Sequence, residues 1–404
     1  PMSMRYFRQM FKKYDVLNAT IKENVGAIRV VKSFVREEHE HGKFTKAAQD
    51  VFHNSVSAEK IISLNGPIMT TCVYTCILLI SWFGAQMIVN KTGLTTGELT
   101  SLLSYIMNIL MSLMMLSMIF VMLSNSVAAA QRVEEVLEEK SDITSPENAV
   151  MQVKDGSIDF VDVNFKYSAQ AKKFALSDID LHIDSGMTVG IIGGTGSSKT
   201  TLVQLIPRLY DATEGSVKVG GVDVRDYDLR TLRDSVSMVL QKNLLFSGTI
   251  KENLRWGNPD ATDEEMIEAC KLSQAHDFVS SFPEGYDTYI EQGGTNVSGG
   301  QKQRLCIARA LLKKPKIIIL DDSTSAVDTK TDAFIRAGFK KFIPETTKFI
   351  IAQRIASVED ADLIIVMNNG KIENCGKHEE LLQSSEIYRE VYEQQTMGGD
   401  SDEN

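Results

Sequence analysis

The chain has 404 residues, more than the roughly 100–200 residues of one domain, and we therefore predict at least two folded units. Its composition, 43% hydrophobic and 24% charged, excludes collagen-like, coiled-coil and wholly disordered proteins. The formal net charge of −10 argues against a dedicated nucleic-acid-binding protein, because such proteins carry a basic surface. The five cysteines are scattered and fit neither a disulfide framework nor a zinc site.

Two long uncharged stretches follow a charged segment of sixty residues. Residues 61–90 and 99–131 contain no Asp, Glu, Lys or Arg, and about 20 apolar residues are enough for a helix to cross a bilayer. We predict two membrane spans, at about 61–90 and 99–124; buried helices of a soluble protein are the alternative. Residues 1–60 hold eleven Lys and Arg and the connection 91–98 holds one, so we expect both flanks in the cytoplasm and a multi-pass protein of the cytoplasmic membrane.

A soluble domain is predicted after the spans. Residues 131–150 are predicted to form a linker, which starts as a charged helix over residues 132–140 and continues as a proline-containing stretch. Between residues 151 and 396, helical sequence alternates with short β-rich runs, which are Thr188–Ile192, Val236–Val239, Ile317–Leu320, Lys348–Ile351 and Leu363–Met367. This alternation predicts an α/β domain with a largely parallel sheet. Residues 397–404 are predicted to be an acidic tail.

A glycine-rich loop joins the first of these runs to helical sequence and indicates a nucleotide site. In such a loop the backbone N–H groups surround phosphates, the lysine reaches the β and γ oxygens, and the next hydroxyl binds Mg²⁺. We predict that a nucleotide is held by Gly193, Gly194, Thr195, Gly196, Ser197, Ser198, Lys199, Thr200 and Thr201. A later run ends in Asp321 and Asp322, at the sheet edge where α/β proteins bind ligands, and Asp321 is expected to hold Mg²⁺ with Thr200. The alternative for the loop is a glycine-rich turn without function. The alternative for Asp321 and Asp322 is a strand that ends in a solvated turn.

Residues 297–310, Val-Ser-Gly-Gly-Gln-Lys-Gln-Arg-Leu-Cys-Ile-Ala-Arg-Ala, resemble the signature of the ATP-binding cassette (ABC) family. Residues 23–34 similarly resemble the intracellular coupling segment of exporter-type half-transporters. The resemblance implies an α-helical transmembrane domain over residues 1–130, containing the last two of six spans, followed by an α/β P-loop ATP-binding cassette domain. It also implies that the sequence is a piece of a longer protein.

Several site residues are assigned by this resemblance alone. The tetrad Ser298, Gly299, Gly300 and Gln301 would contact the nucleotide bound by a second subunit. Tyr167 would stack on adenine, although a strand aromatic that faces the core is the alternative. The remaining assignments are Gln241 to Mg²⁺ and the membrane domain, Glu291 to a coupling helix or simply to solvent, and Asp328 to the loop between the two nucleotide sites.

Three positions depart from the family pattern at one site. Ser198 replaces a glycine, Asp322 replaces the glutamate that activates water, and Gln353 replaces a histidine that contacts the γ-phosphate. An aspartate is one carbon–carbon bond shorter, so its carboxylate retracts by up to about 1.5 Å, while a general base must reach its proton at about 2.6–3.2 Å. A glutamine cannot gain a proton. We therefore expect ATP binding with weak hydrolysis at this chain's own site.

An intact tetrad combined with a weakened site of its own makes the chain resemble one subunit of a heterodimeric exporter. We expect an asymmetric partner subunit, whose competent site Ser298 would complete, in preference to a homodimer. The alternatives are a binding-only regulatory subunit and a homodimeric active exporter. The exported substrate cannot be read from the sequence, since fold does not fix cargo.

Overall fold

The computed structural model describes residues 2–91, 93–322 and 329–399. The chain divides into two compact units, Pro1–Lys140 and Ser141–Asn404. The helices of the first unit are α1 (Met2–Gly26), α2 (Ile28–Ser33), α3 (Glu37–Ser63), α4 (Asn65–Val89) and α5 (Thr96–Glu138). Ion pairs from Lys13 to Asp50 and from Lys43 to Glu23 join α1 to α3.

Helices α4 and α5 contain the predicted spans. Within them, Gly66–Val89 and Thr96–Leu116 are long and apolar enough to cross a membrane, and few of their side chains are buried in the described part of the chain. Helix α5 starts at a capping box in which the Thr95 hydroxyl accepts from the Glu98 N–H and the Glu98 carboxylate accepts from the Thr95 N–H. It continues through the start of the segment predicted to be a linker, because residues 125–138 contain alanines and other strong helix formers but no glycine or proline.

The second unit is built on a six-stranded sheet in the order β12-β11-β3-β10-β9-β6. Its strands are β3 (Thr188–Gly193), β6 (Val236–Val239), β9 (Ile317–Asp321), β10 (Thr347–Ile351), β11 (Leu363–Asn368) and β12 (Lys371–Gly376). All neighbours in this sheet are parallel except β11 and β12. The prediction of an α/β domain with a largely parallel sheet is therefore confirmed.

A second, antiparallel sheet covers one face of the first. It has the order β2-β1-β4-β5, with β1 (Ile158–Phe165), β2 (Leu176–Ile183), β4 (Glu214–Val219) and β5 (Val222–Asp223). Buried residues of both sheets share one core, which includes Phe160, Ile191 and Phe349. Strands β7 (Gly248–Thr249) and β8 (Tyr289–Ile290) form a separate pair.

Helices surround the sheets and supply a second core. They are α6 (Lys199–Gln204), α7 (Leu229–Ser235), α8 (Ile250–Arg255), α9 (Asp263–Leu272), α10 (His276–Ser281), α11 (Gly299–Leu312), α12 (Thr329–Phe342), α13 (His378–Ser384) and α14 (Glu386–Gly399). The buried side chains of α11, including Leu305 and Ile307, pack with Leu320 of β9 and Tyr388 of α14. This core therefore attaches both the signature helix and the C-terminal helix to the sheet.

Candidate functional site: a phosphate-binding pocket at the sheet edge

Strand order explains why distant residues meet in one pocket. Parallel pairing places Ile351 of β10 beside both Asp321 of β9 and Ile191 of β3, and β6 lies on the other side of β9. The loops that follow these four strands therefore leave the same edge of the sheet. A pocket of about 510 Å³ lies at this edge. Its lining consists of residues 193–201, Gln241, Asp321, Asp322 and Gln353, together with Ile192, Ile351 and Val391.

The phosphate loop turns tightly between β3 and α6. A side chain at Gly193 would collide with the carbonyl of Met367 in the neighbouring strand, so only glycine fits there. Ser198 has φ 70° and ψ 25°, the left-handed conformation that favours glycine. The serine thus keeps the turn that leads into α6, at a cost in backbone strain.

Lys199 lies over the start of this loop. Its Nζ donates hydrogen bonds to the carbonyl oxygens of Gly193 at 2.8 Å and Gly194 at 2.9 Å. Burial lowers the pKa of Lys199, an effect opposed by the nearby carboxylates of Asp321 and Asp322. A half-buried ammonium group held by carbonyls of the loop is suited to bind phosphate oxygens.

Thr200 and Asp321 bring hard oxygen ligands together. The Thr200 hydroxyl lies 2.9 and 3.1 Å from the two carboxylate oxygens of Asp321. Burial raises the pKa of Asp321, and the Thr200 hydrogen bond opposes that shift. Hydroxyl and carboxylate oxygens are ligands that Mg²⁺ accepts together with water and phosphate, so these two side chains fit the cation expected with ATP.

Asp322 is engaged by two amides. Its Oδ2 accepts from the Gln353 Nε2 at 2.7 Å and from the Gln241 Nε2 at 3.3 Å, and its backbone has a left-handed φ of 48°. The predicted residues Gln241, Asp322 and Gln353 are therefore neighbours. The pairing of Gln241 with Asp322 is a contact that the sequence did not suggest.

Tyr167 contacts the first turn of α6, which follows the phosphate loop. Its hydroxyl shares a 2.8 Å hydrogen bond with the Thr201 hydroxyl, and the residue is 55% exposed. The rings of Phe165 and Tyr210 meet it edge-on, at centroid distances of 4.8 and 5.1 Å. The core-facing alternative is therefore wrong, and Tyr210, which no motif marked, belongs to this aromatic cluster.

The signature tetrad caps helix α11. The Ser298 hydroxyl accepts from the Gln301 N–H at 3.3 Å, and the Gln301 side chain accepts from the Ser298 N–H at 2.9 Å. Residues 298–301 are absent from the described lining of the phosphate-loop pocket. Glu291 is exposed and accepts from the Thr295 hydroxyl at 2.6 Å, whereas Asp328 lies outside the described residues.

Two helices hold the segment that follows Gln353. From α12, Arg336 donates to the carbonyl of Ala356 at 3.1 Å, and Asp332 accepts from the Ser357 hydroxyl at 3.0 Å. From α14, Gln395 bonds the backbone on the other side of the segment. No local sequence pattern marks these contacts, because they join residues far apart in the chain.

Comparison with known proteins agrees with this geometry. The family model for the ABC transporter transmembrane region matches residues 1–150, and the family model for the ABC transporter matches residues 176–325. The Bacillus subtilis ABC transporter ATP-binding protein YknU is 36% identical over 96% of this chain and 66% of its own length. The putative multidrug export ATP-binding/permease protein YgaD of the same organism is 36% identical over 98% of this chain and 70% of its own.

A solved structure is also similar. The bacterial Atm1-family ABC exporter with ATP bound superposes with a TM-score of 0.90 at 27% identity, covering 98% of this chain and 69% of that one. The chain belongs to the ABC transporter family. It has the arrangement of an exporter half-transporter, an ATPase-coupled transporter with a helical transmembrane region before an α/β ATPase domain. It spans about two thirds of the length of these relatives.

Proposed function

We propose that the chain is the ATP-binding subunit of a heterodimeric exporter, and that its own site binds MgATP but turns it over slowly. Lys199 and the loop N–H groups would hold the phosphates, Tyr167 the adenine, and Thr200 with Asp321 the cation, which screens phosphate charge when bound. The proposal extends to a membrane domain over 1–130 and a nucleotide-binding domain over 151–396. Helix α5 enters the predicted linker 131–150 as far as Glu138, and α14 enters the predicted tail 397–404 as far as Gly399. The proposal also extends to a place in the cytoplasmic membrane.

The observation that carries the proposal is the environment of Asp322. The short carboxylate is hydrogen-bonded by two side-chain amides, at 2.7 and 3.3 Å, and neither amide can take up a proton. A carboxylate held in this way is a poor base for activating water, since it must exchange those donors for the water proton. These contacts support the proposal that one pocket combines nucleotide binding with weak hydrolysis.

The tetrad supports the second half of the proposal. Ser298 and the N–H groups at the start of α11 form an anion site through the helix dipole, and this site is separate from the pocket of its own phosphate loop. We propose that it completes the competent site of the partner subunit. ATP turnover there would drive export of the substrate.

The decisive experiment compares two substitutions in the purified two-subunit complex. Ser298→Ala should lower steady-state ATPase by about 10²–10³, because it removes one donor used in the transition state. Asp322→Asn should change the rate little. Ser281→Ala, a serine truncation on the surface of α10, is the matched control.

The reverse order would contradict the proposal. If Asp322→Asn were crippling and Ser298→Ala silent, this chain's own site would perform the chemistry. A chain that purifies as an active homodimer would support the homodimeric alternative, and a complex whose ATPase ignores both substitutions would favour a binding-only subunit.

A further inference from the structure

The C-terminal helix reaches the nucleotide pocket by one face. Tyr388, Val391, Tyr392 and Gln395 follow the i, i+3, i+4, i+7 pattern along α14 and therefore lie on one side of it. Tyr388 is fully buried, and its hydroxyl bonds the ring Nδ1 of His378 at 2.8 Å. Val391 lines the phosphate-loop pocket. The helix is thus anchored in the core one turn before it reaches the pocket and two turns before Gln395.

Gln395 binds the backbone next to the pocket with both ends of its amide. Its Nε2 donates to the carbonyl of Gln353 at 2.7 Å, and its Oε1 accepts from the N–H of Ile355 at 2.9 Å. These two bonds close a ring around Arg354 and fix the backbone on both sides of it. The Ile355 side chain is buried in the same core as Tyr388. This burial also holds the hydrogen-bonded ring in place.

The same backbone determines where the Gln353 side chain points. From this position its Nε2 reaches the Asp322 Oδ2 at 2.7 Å, beside the Thr200–Asp321 pair. This end of the pocket adjoins the loop lysine, which in such loops reaches the β and γ oxygens. A shift of the Gln353 backbone would therefore change the pocket where a terminal phosphate binds.

We propose that Gln395 is a positioning residue for this nucleotide site, which makes discrimination between a nucleoside triphosphate and a diphosphate depend on the C-terminal helix. The inference rests on the proposed function, since it assumes that ATP binds the pocket. Gln395 does not touch the nucleotide. It acts through the backbone of Gln353.

The test measures ATP and ADP affinities of the complete chain in detergent. Gln395→Ala should lower the ratio of ATP to ADP affinity about three- to tenfold, the range that one lost hydrogen bond corresponds to. Gln395→Glu should lower it at least as much, because a carboxylate would face the carbonyl of Gln353. Gln394→Ala is the matched control, since its side chain points about 100° away around the helix.

A double-mutant comparison separates positioning from a merely structural role. Gln353→Ala should also lower the ratio, and Gln395→Ala should then add nothing. An unchanged ratio in Gln395→Ala, or an equal further drop in the Gln353→Ala background, would overturn the inference. Failure of the proposed function looks different: the unsubstituted chain would not bind ATP, or would bind it equally well after Lys199→Ala.

Discussion

Lengthening Asp322 by one carbon is expected to restore hydrolysis at this chain's own site. The Asp322 carboxylate now lies 2.7 Å from the Gln353 amide, and Asp322→Glu would extend it by up to about 1.5 Å. A placed general base contributes about 10²–10⁴ in rate, whereas loss of the Gln353 hydrogen bond costs up to about a factor of ten. The net expectation is a gain of at least about tenfold.

The assay must isolate that site from the partner's. Phosphate release would be measured in the two-subunit complex carrying Ser298→Ala, which silences the partner's site in the proposed scheme. Asp322→Gln is the matched control, because it has the length of glutamate and no basic oxygen. Equal turnover of the Glu and Gln variants would refute the reasoning, since length alone would then account for any change.

Two further predictions concern the loop and the cation site. Ser198→Gly should raise the free energy of unfolding by up to about 1.6 kcal/mol, because the left-handed backbone costs a serine roughly 1–2 kcal/mol, whereas glycine's greater freedom in the unfolded chain lowers stability by about 0.4–1 kcal/mol. Thermal unfolding measures the change, and an equal gain in Ser198→Ala would contradict the prediction. Asp321→Asn should raise the Tm of the nucleotide-free chain and weaken the Mg²⁺ dependence of ATP binding. Burial raises the pKa of Asp321, so the Tm gain should be complete above that raised pKa, where the buried carboxylate is charged, and should vanish as pH falls below its unfolded-state pKa; a gain that grows on acidification would show that the carboxylate is not penalised by burial.

The phosphate loop could be predicted because its chemistry is contiguous in sequence. Residues 194–198 follow strand β3 and precede helix α6, and a glycine-rich segment in that order predicts a phosphate-binding loop. Asp321 was predictable for a similar reason, since it ends a buried strand. Predicting these residues does not require knowing how distant segments pack.

The remaining contacts depend on strand order, which local patterns do not encode. Gln241 and Gln353 are brought to Asp322 because β6 and β10 flank β9 in the sheet, and only the resemblance to a family marked them beforehand. Nothing in the sequence marks Gln395, because a glutamine that hydrogen-bonds distant backbone looks like any other polar residue of its helix. The charged helix predicted over residues 132–140 is continuous with the second span in α5. Local patterns do not mark this junction, because charged and apolar residues are both good helix formers.

The length of α5 has a mechanical consequence. Its 43 residues rise about 1.5 Å each and form a rod of about 65 Å, more than twice the roughly 30 Å apolar thickness of a bilayer. After Gly97 the rod contains no glycine or proline at which to bend. A tilt of about 10° about one end would therefore displace the other by about 11 Å, so small rotations of the membrane portion are amplified at Glu138.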